Sequence, residues 1–361
     1  MDETQDKITM LNQMPSPAFL VKDGIITNVN PAAKQYMITE GQEIQPMLIT
    51  GAVEYAQFQS GCLYLTLNIG GTSFGASVTK MHSHDYFVLE QTEDQAELQS
   101  MALAAQHLRG PLSNIMTVAD RLFPMNCFDN DPAALDQIAR INRGLYQMLR
   151  IVSNMSDSYR YSQDGAPNME IRDICSFMQD VFNEHAPLVK HMDITLSFEN
   201  QNDPIYCLID AEKLERAISN ILSNAVKFNI RGGTIHAKLT RVNKMLYLTV
   251  HNTGTSGREC VDGNLYSQYQ RQPGLQESRF GIGLGMVLIR RAAAIHGGTV
   301  LIQQSPEEGT RVTMSIAICQ DSSPIVRSGV FRIDYAGERD HKLLELSESL
   351  PATLYQRENV N

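Results

Sequence analysis

Phe280-Gly281-Ile282-Gly283-Leu284-Gly285-Met286-Val287, followed by His296-Gly297-Gly298, is the stretch that decides how this chain folds. Glycines at alternate positions let the backbone pass close to phosphate oxygens, and a helix opening straight after such a loop aims its first N–H groups at negative charge. A glycine triplet alone is a weak signal. Upstream, however, Asn220-Ile221-Leu222-Ser223-Asn224-Ala225-Val226-Lys227-Phe228 has helical periodicity, and Asn220, Asn224 and Lys227 share one face at i, i+4 and i+7. Two separate polar constellations in this order predict a nucleotide-binding loop feeding one helix and a polar stripe on another.

The pair resembles the asparagine box and second glycine box of the Bergerat-type ATP-binding domain of sensor histidine kinases. Between them, Leu265-Tyr266-Ser267-Gln268-Tyr269 resembles the family's aromatic lid, and Glu308-Gly309-Thr310-Arg311-Val312 its glycine-threonine turn before the last strand. Val250-His251-Asn252-Thr253-Gly254-Thr255-Ser256-Gly257 stands where the first glycine box belongs. The resemblance implies ATP and Mg2+ as cofactors. It makes Asn224 the Mg2+ ligand, a neutral oxygen that suits a hard cation. Asn220 and Lys227 would contact the phosphates, with Asn252, Gly254, Gly281, Gly283, Gly285 and Thr310 completing the nucleotide site. Related ATPases of the gyrase and chaperone type carry a water-activating Glu where Asn220 stands. Asn220 offers no such base, so ATP is expected to be held for transfer rather than hydrolysed. The first glycine box departs from the family, because the Asp that accepts the adenine amino hydrogen is Asn252. An amide oxygen still accepts that bond but carries no charge, so weaker nucleotide binding is expected. Ser256 also replaces a glycine, with Gly257 one residue on. The competing reading is a relic site that packs but binds nothing.

With 361 residues, 40 acidic and 30 basic side chains and a net charge of −10, the chain has material for two or three packed domains and no basic footprint for nucleic acid. Pro15, Pro17 and the Arg290-Arg291 pair interrupt the longest apolar stretches, so a soluble protein without a membrane span is expected. The 6 cysteines lie far apart with no Cys-x-x-Cys pair, which fits reduced thiols in the cytoplasm better than a disulfide or zinc framework.

The expected fold class is α+β and multidomain. Residues 1–92 form a small α/β domain whose opening, Ala18-Phe19-Leu20-Val21, Asp23-Gly24, Ile25 to Asn30 and Ala32-Ala33, resembles the strand, turn, strand and helix of a PAS sensor domain, its ligand unknown. Residues 93–164 form an antiparallel helical hairpin. Its seams are Leu98, Met101, Ala105, Leu108, Leu112, Ile115, Ala119 and Leu122, then Ile138, Ile141, Leu145, Met148, Val152, Met155 and Tyr159. Asp131 N-caps the second helix, with Pro132 at its first position. Two hairpins making a four-helix homodimer would bury what one hairpin leaves open. Residues 168–320 hold the α/β sandwich of the ATP domain, with a strand hairpin at Ile235 to Leu239 and Leu246 to Val250. Residues 321–361 exceed what that domain needs: strand-like Val330 to Tyr335 and helix-like Lys342 to Leu350 have no assigned role.

On the first hairpin helix, Gln106-His107-Leu108-Arg109-Gly110-Pro111-Leu112 resembles the family's phosphoacceptor motif, His-Glu-Leu-Arg-Thr/Asn-Pro-Leu. Ungapped alignment puts Gln106 in the acceptor position and His107 in that of the assisting acid. His107 lies about 100° and 1.5 Å further along the helix, outside the seam and open to solvent, which makes it the candidate shifted acceptor. It has no adjacent carboxylate, and Gly110 removes the family's phosphatase residue. The expected function is therefore that of a sensor histidine kinase acting on a response-regulator partner. A pseudokinase that signals by conformation or sequestration is the alternative.

Overall fold

The computed structural model describes residues 11–14, 16–80, 84–89, 92–122, 131–160, 167–254, 284–305, 308–319 and 339–360. At the N-terminal end, β1 (Ala18–Lys22) and β2 (Ile25–Val29) are joined by Asp23 and Gly24, whose φ values of 52° and 81° are those of a tight hairpin turn. Asn30 then caps the short helix α1 (Pro31–Lys34): its Oδ1 accepts from the Ala33 N–H at 2.8 Å and the Ala18 N–H at 3.0 Å. Helix α2 (Ala52–Gln57) leads into β3 (Cys62–Ile69), β4 (Thr72–Lys80) and β5 (Asp85–Leu89).

The hairpin follows as α3 (Thr92–Leu122) and α4 (Pro132–Arg160). Asp131 Oδ1 accepts from the Ala133 and Ala134 N–H groups, the N-cap that its position before Pro132 predicts. Only part of the expected seam is buried between the two helices. Ala105, Leu112, Met116 and Ala119 of α3 share a core with Leu145, Leu149 and Val152 of α4, whereas Leu108 and Ile115 remain 51% and 53% exposed. One partner helix covers one stripe, and the second stripe, Leu108, Ile115, Val118 and Leu122 with Ile141 and Met148 of α4, stays apolar and open.

After β6 (Glu170–Asp173) come α5 (Ile174–Lys190), β7 (Thr195–Asn200), β8 (Tyr206–Ile209) and α6 (Ala211–Lys227). The chain continues with β9 (Thr234–Val242), β10 (Met245–Asn252), α7 (Leu284–Ile295), β11 (Val300–Ser305) and β12 (Gly309–Ala317). Leu214, Ala217, Ile218, Ile221, Leu222 and Val226 of α6 and Ile289, Ala292 and Ala293 of α7 join Ile235, Leu239, Leu246 and Leu248 of the sheet in one core. Each fully buried Leu or Ile there contributes about 1.5–3 kcal/mol.

Two sheets expected to be separate are continuous. The strand order is β2-β1-β5-β4-β3-β11-β12-β10-β9-β7, with β3 antiparallel to β11 through Leu63 opposite Leu301. Gly61, at φ 97°, permits this junction, since a Cβ there would stand 2.2 Å from the Ile302 carbonyl oxygen. Arg290 of α7 stacks over Tyr64 of β3 at 4.6 Å, so the N-terminal sheet also touches the glycine-box helix. Strand-like Val330 to Tyr335 lies outside the described residues. Beyond it, α8 (His341–Glu345) and a 3-10 turn (Ala352–Tyr355) pack on α4, α5 and α6, burying Leu343, Leu344, Leu346, Leu350 and Tyr355.

Candidate functional site

The asparagine-box helix begins where Asp210 Oδ1 accepts from the Lys213 N–H at 3.1 Å. The Asp210 N–H itself donates to His296 Nε2 at 3.0 Å, while His296 Nδ1 donates to the Ala292 carbonyl at 2.7 Å. His296 is buried, and burial pushes its pKa below the ordinary 6.5, so the neutral ring ties the start of α6 to the end of α7. Gly298 follows where a Cβ would meet the Ser315 carbonyl oxygen at 1.8 Å.

The apolar face of α6 lies in the core, and its polar stripe meets α4, α7 and the C-terminal segment. Arg216, one turn before Asn220, is buried with Asp157 and Asn154 of α4 and Glu345 of α8: Nη2 donates to Asn154 Oδ1 at 2.8 Å, and Nε to Glu345 Oε1 at 3.2 Å. Asn220 is 1% exposed. Its Nδ2 donates to the Arg216 carbonyl at 2.9 Å and to Glu345 Oε2 at 3.4 Å, and its Oδ1 accepts from Arg150 Nη2 of α4 at 3.2 Å. The same Oδ1 lies 2.6 Å from where a Cβ on Gly285 would stand, so Gly285 is required for α7 to begin against Asn220. Lys227, at the far end, donates to Glu348 Oε2 at 2.9 Å, and Asn224 lies half-buried between the two ends.

Asn252 ends β10, paired across the sheet with Ile235 and Thr310. It is buried, its Nδ2 donating to the Gly254 carbonyl at 3.2 Å, which leaves Oδ1 as the acceptor for an incoming amino group. Gly254 brings β10 against the end of α6, where a Cβ would stand 1.9 Å from the Phe228 carbonyl oxygen. Asn220, Asn224, Lys227, Asn252, Gly254, Gly285 and Thr310 thus gather where α6, α7 and the ends of β10 and β12 converge. Gly281, Gly283, the lid-like Leu265 to Tyr269 and Thr255 to Gly257 lie outside the described residues. Gln106 and His107 are exposed on α3, and the hairpin's contacts with α6 run through α4.

Carboxylates on Asn220 and Lys227 are anionic oxygens on the groups the family turns to phosphate, so the chemistry of this donor set fits a phosphate, with Asn224 supplying a neutral oxygen beside it. Arg150, Arg216 and Lys227 balance Asp157, Glu345 and Glu348. Burial alone would raise the Glu348 carboxyl, but Arg150 at 3.2 Å and Lys227 at 2.9 Å hold it below the ordinary 4.5. A carboxyl depressed in the folded chain contributes stability that is complete above its unfolded pKa and lost as pH falls through the folded value. Thermal melts of wild type and Glu348→Gln should therefore differ by a constant amount at neutral pH and converge on titration below pH 4.5. A difference that persists undiminished at acid pH contradicts the ion pairs.

Sequence reading missed Arg150, Asn154, Asp157, Arg216, Glu345 and Glu348. One signal was present: Arg216 precedes Asn220 by one helical turn and extends its stripe.

Residues 209–319 match the family described as histidine kinase-, DNA gyrase B-, and HSP90-like ATPase. The chain is 22% identical over 294 residues to the alginate biosynthesis sensor protein KinB of Pseudomonas aeruginosa, covering 81% of this chain and 48% of that protein. To the sensor histidine kinase YvrG of Bacillus subtilis it is 24% identical over 211 residues, covering 57% and 36%. It thus spans less than half the length of either relative. Full-length ShkA, solved in complex with AMPPNP, shares the fold with a TM-score of 0.50 at 17% identity, over 63% of this chain and 47% of its own. Residues 209–319 therefore carry the histidine kinase-, DNA gyrase B-, and HSP90-like ATPase match, and over more than half of its length the chain is similar to sensor kinases.

Proposed function

We propose that the protein is a sensor histidine kinase that binds ATP with Mg2+, phosphorylates His107 and passes the phosphoryl group to an aspartate of a response regulator. The observation that carries this is the stripe of Asn220, Asn224 and Lys227 on α6, held beside Gly285 at the head of α7 and Gly254 at the end of β10. ATP supplies a phosphoryl group on a good leaving group. Asn224 would hold Mg2+, Asn220 and Lys227 the phosphates, and Asn252 Oδ1 the adenine amino group. An imidazole nitrogen of His107 forms the new N–P bond as the P–O bond to ADP breaks, and its proton passes to water, since Gln106 and Leu108 offer no carboxylate. Transfer is therefore expected to be slow for the family.

Two further parts of the reading rest on this fold. The exposed stripe Leu108, Ile115, Val118 and Leu122 of α3 with Ile141 and Met148 of α4 supports a homodimer in which two hairpins form a four-helix bundle. The strand, glycine turn, strand and capped helix of residues 18–34 support a PAS-type input unit. Among the described residues no helix is long and apolar enough to cross a membrane, and Cys62, Cys175, Cys207 and Cys319 are free thiols. We take the cytoplasm as its location. A pseudokinase is the second reading, favoured by Gln106 at the aligned acceptor position.

ATP with Mg2+ should raise the melting temperature of the full chain, by the equivalent of about 2.7 kcal/mol at a hundredfold excess over Kd. Asn224→Ala should weaken binding at least about tenfold by removing a contact to a charged group. A wild-type melting curve that nucleotide does not move contradicts the ATP-binding reading.

A further inference from the structure

We propose that residues 339–360 are an intrasteric inhibitor: docked, they hold the phosphate-facing side chains of the asparagine box, so that this segment and nucleotide exclude one another. The inference rests on the ATP-binding reading above and names the regulation of that site.

The first ground is overlap. Glu345 Oε2 takes the Asn220 amide and Glu348 Oε2 takes the Lys227 ammonium, the two groups assigned to phosphate. Asn220 is inaccessible in this arrangement, its Oδ1 being held by Arg150 as well. The second ground is charge. Three carboxylates already match the three cations of the cluster, so a triphosphate on the same stripe would set like charges in contact, at its Asn220 end in a place shielded from water.

The third ground is that the dock is built and does not depend on the two acids alone. Tyr355 is fully buried, donates from its hydroxyl to the Leu343 carbonyl at 2.7 Å and packs edge-on against Tyr146 of α4. Asn142 of α4 donates to the Tyr355 carbonyl at 3.0 Å, and Arg143 to the Ser347 and Glu348 carbonyls at 3.1 and 2.9 Å. At the other end Lys342 pairs with Glu184 of α5 at 3.0 Å. Because Glu345 bridges Arg150 of α4 and Arg216 of α6, the docked segment also fastens the hairpin to the ATP unit. Release would uncover Lys227, withdraw Glu345 from Asn220 and remove one of the ties between α4 and α6.

The test titrates full-length wild type, Glu348→Gln and Tyr355→Ala with trinitrophenyl-ATP and Mg2+, and follows amide hydrogen exchange across residues 339–360 in the wild type. Glu348→Gln keeps the shape and removes a charge. Tyr355→Ala loosens the dock away from the charged cluster, leaving a cavity that lowers stability, and the Gln variant covers the case in which it fails to fold. Affinity should rise at least about fivefold in each folded variant, and saturating nucleotide should speed exchange across the segment. Equal affinities in wild type and variants, or a segment whose exchange is unchanged when nucleotide is bound, overturn the inference and leave the ATP-binding reading standing. Absence of binding in all the proteins overturns both.

Discussion

Arg216→Ala should lower the unfolding free energy by about 3–5 kcal/mol, the loss expected when one member of a buried ion cluster is removed and its partners stay. The guanidinium is 1% exposed and is shared by Asp157 and Glu345, themselves 3% and 1% exposed. Without it, Asp157, Glu345 and the Asn154 amide oxygen each lose a donor in a place water does not reach, and Glu345 is left to Arg150 and Asn220. The loss comes from stranded charge more than from missing contacts, which a second variant distinguishes. Arg216→Met combined with Asp157→Leu and Glu345→Gln removes the cluster's core as a set and should recover much of the deficit. Urea unfolding of the three proteins measures this, and a loss below about 1 kcal/mol in Arg216→Ala would show that the cluster is solvated in solution.

Gly254→Ala should be comparably severe for a different reason. The added Cβ would stand 1.9 Å from the Phe228 carbonyl oxygen and 2.3 Å from the Asn229 Cα, both backbone atoms with no rotamer by which to yield. The end of β10 must move off the end of α6, carrying Asn252 away from Lys227. A loss of about 3 kcal/mol or more is expected from overpacking against main chain, with nucleotide binding weakened beyond what stability alone explains. Gly144→Ala is the control. It lies inside α4 with nothing within 4 Å of its Cβ position, so alanine should stabilise by up to about 1 kcal/mol. Equal effects in the two variants would contradict the close approach.

Local pattern made much of this architecture legible before any coordinates. The helical periodicity of Asn220 to Phe228 specified the second half of α6 and placed Asn220, Asn224 and Lys227 together on one face. Alternation specified the β9–β10 hairpin, and the Asp131-Pro132 pair marked the start of α4. Elsewhere the sequence lists residues without their partners. Ala105, Leu108, Leu112 and Ile115 read as one seam, yet the 3.6-residue repeat turns only some of them toward α4. Leu63 reads as a strand residue of the N-terminal unit, and nothing local says that it pairs with Leu301 more than two hundred residues on.

The same limit explains the missed half of the site. Glu345, at the end of a short helix, and Glu348, in the turn after it, are ordinary acids until the fold sets them against Arg150, Arg216 and Lys227. Arg150 sits in the same helix as Asp136 and Arg140, which form an exposed pair. Only burial separates the two cases, and burial is a property of the whole chain.

The central claim is that this chain moves a phosphoryl group onto His107. The direct measurement is incubation with γ-labelled ATP and Mg2+, scoring acid-labile label on wild type, Glu348→Gln and Glu348→Gln/His107→Ala. Label should appear on wild type, increase in Glu348→Gln as the C-terminal segment loosens, and vanish when His107 is removed. A Glu348→Gln protein that binds nucleotide yet takes no label, or label that survives loss of His107, would contradict the claim. The first result would leave a nucleotide-binding pseudokinase, and the second an acceptor elsewhere in the chain.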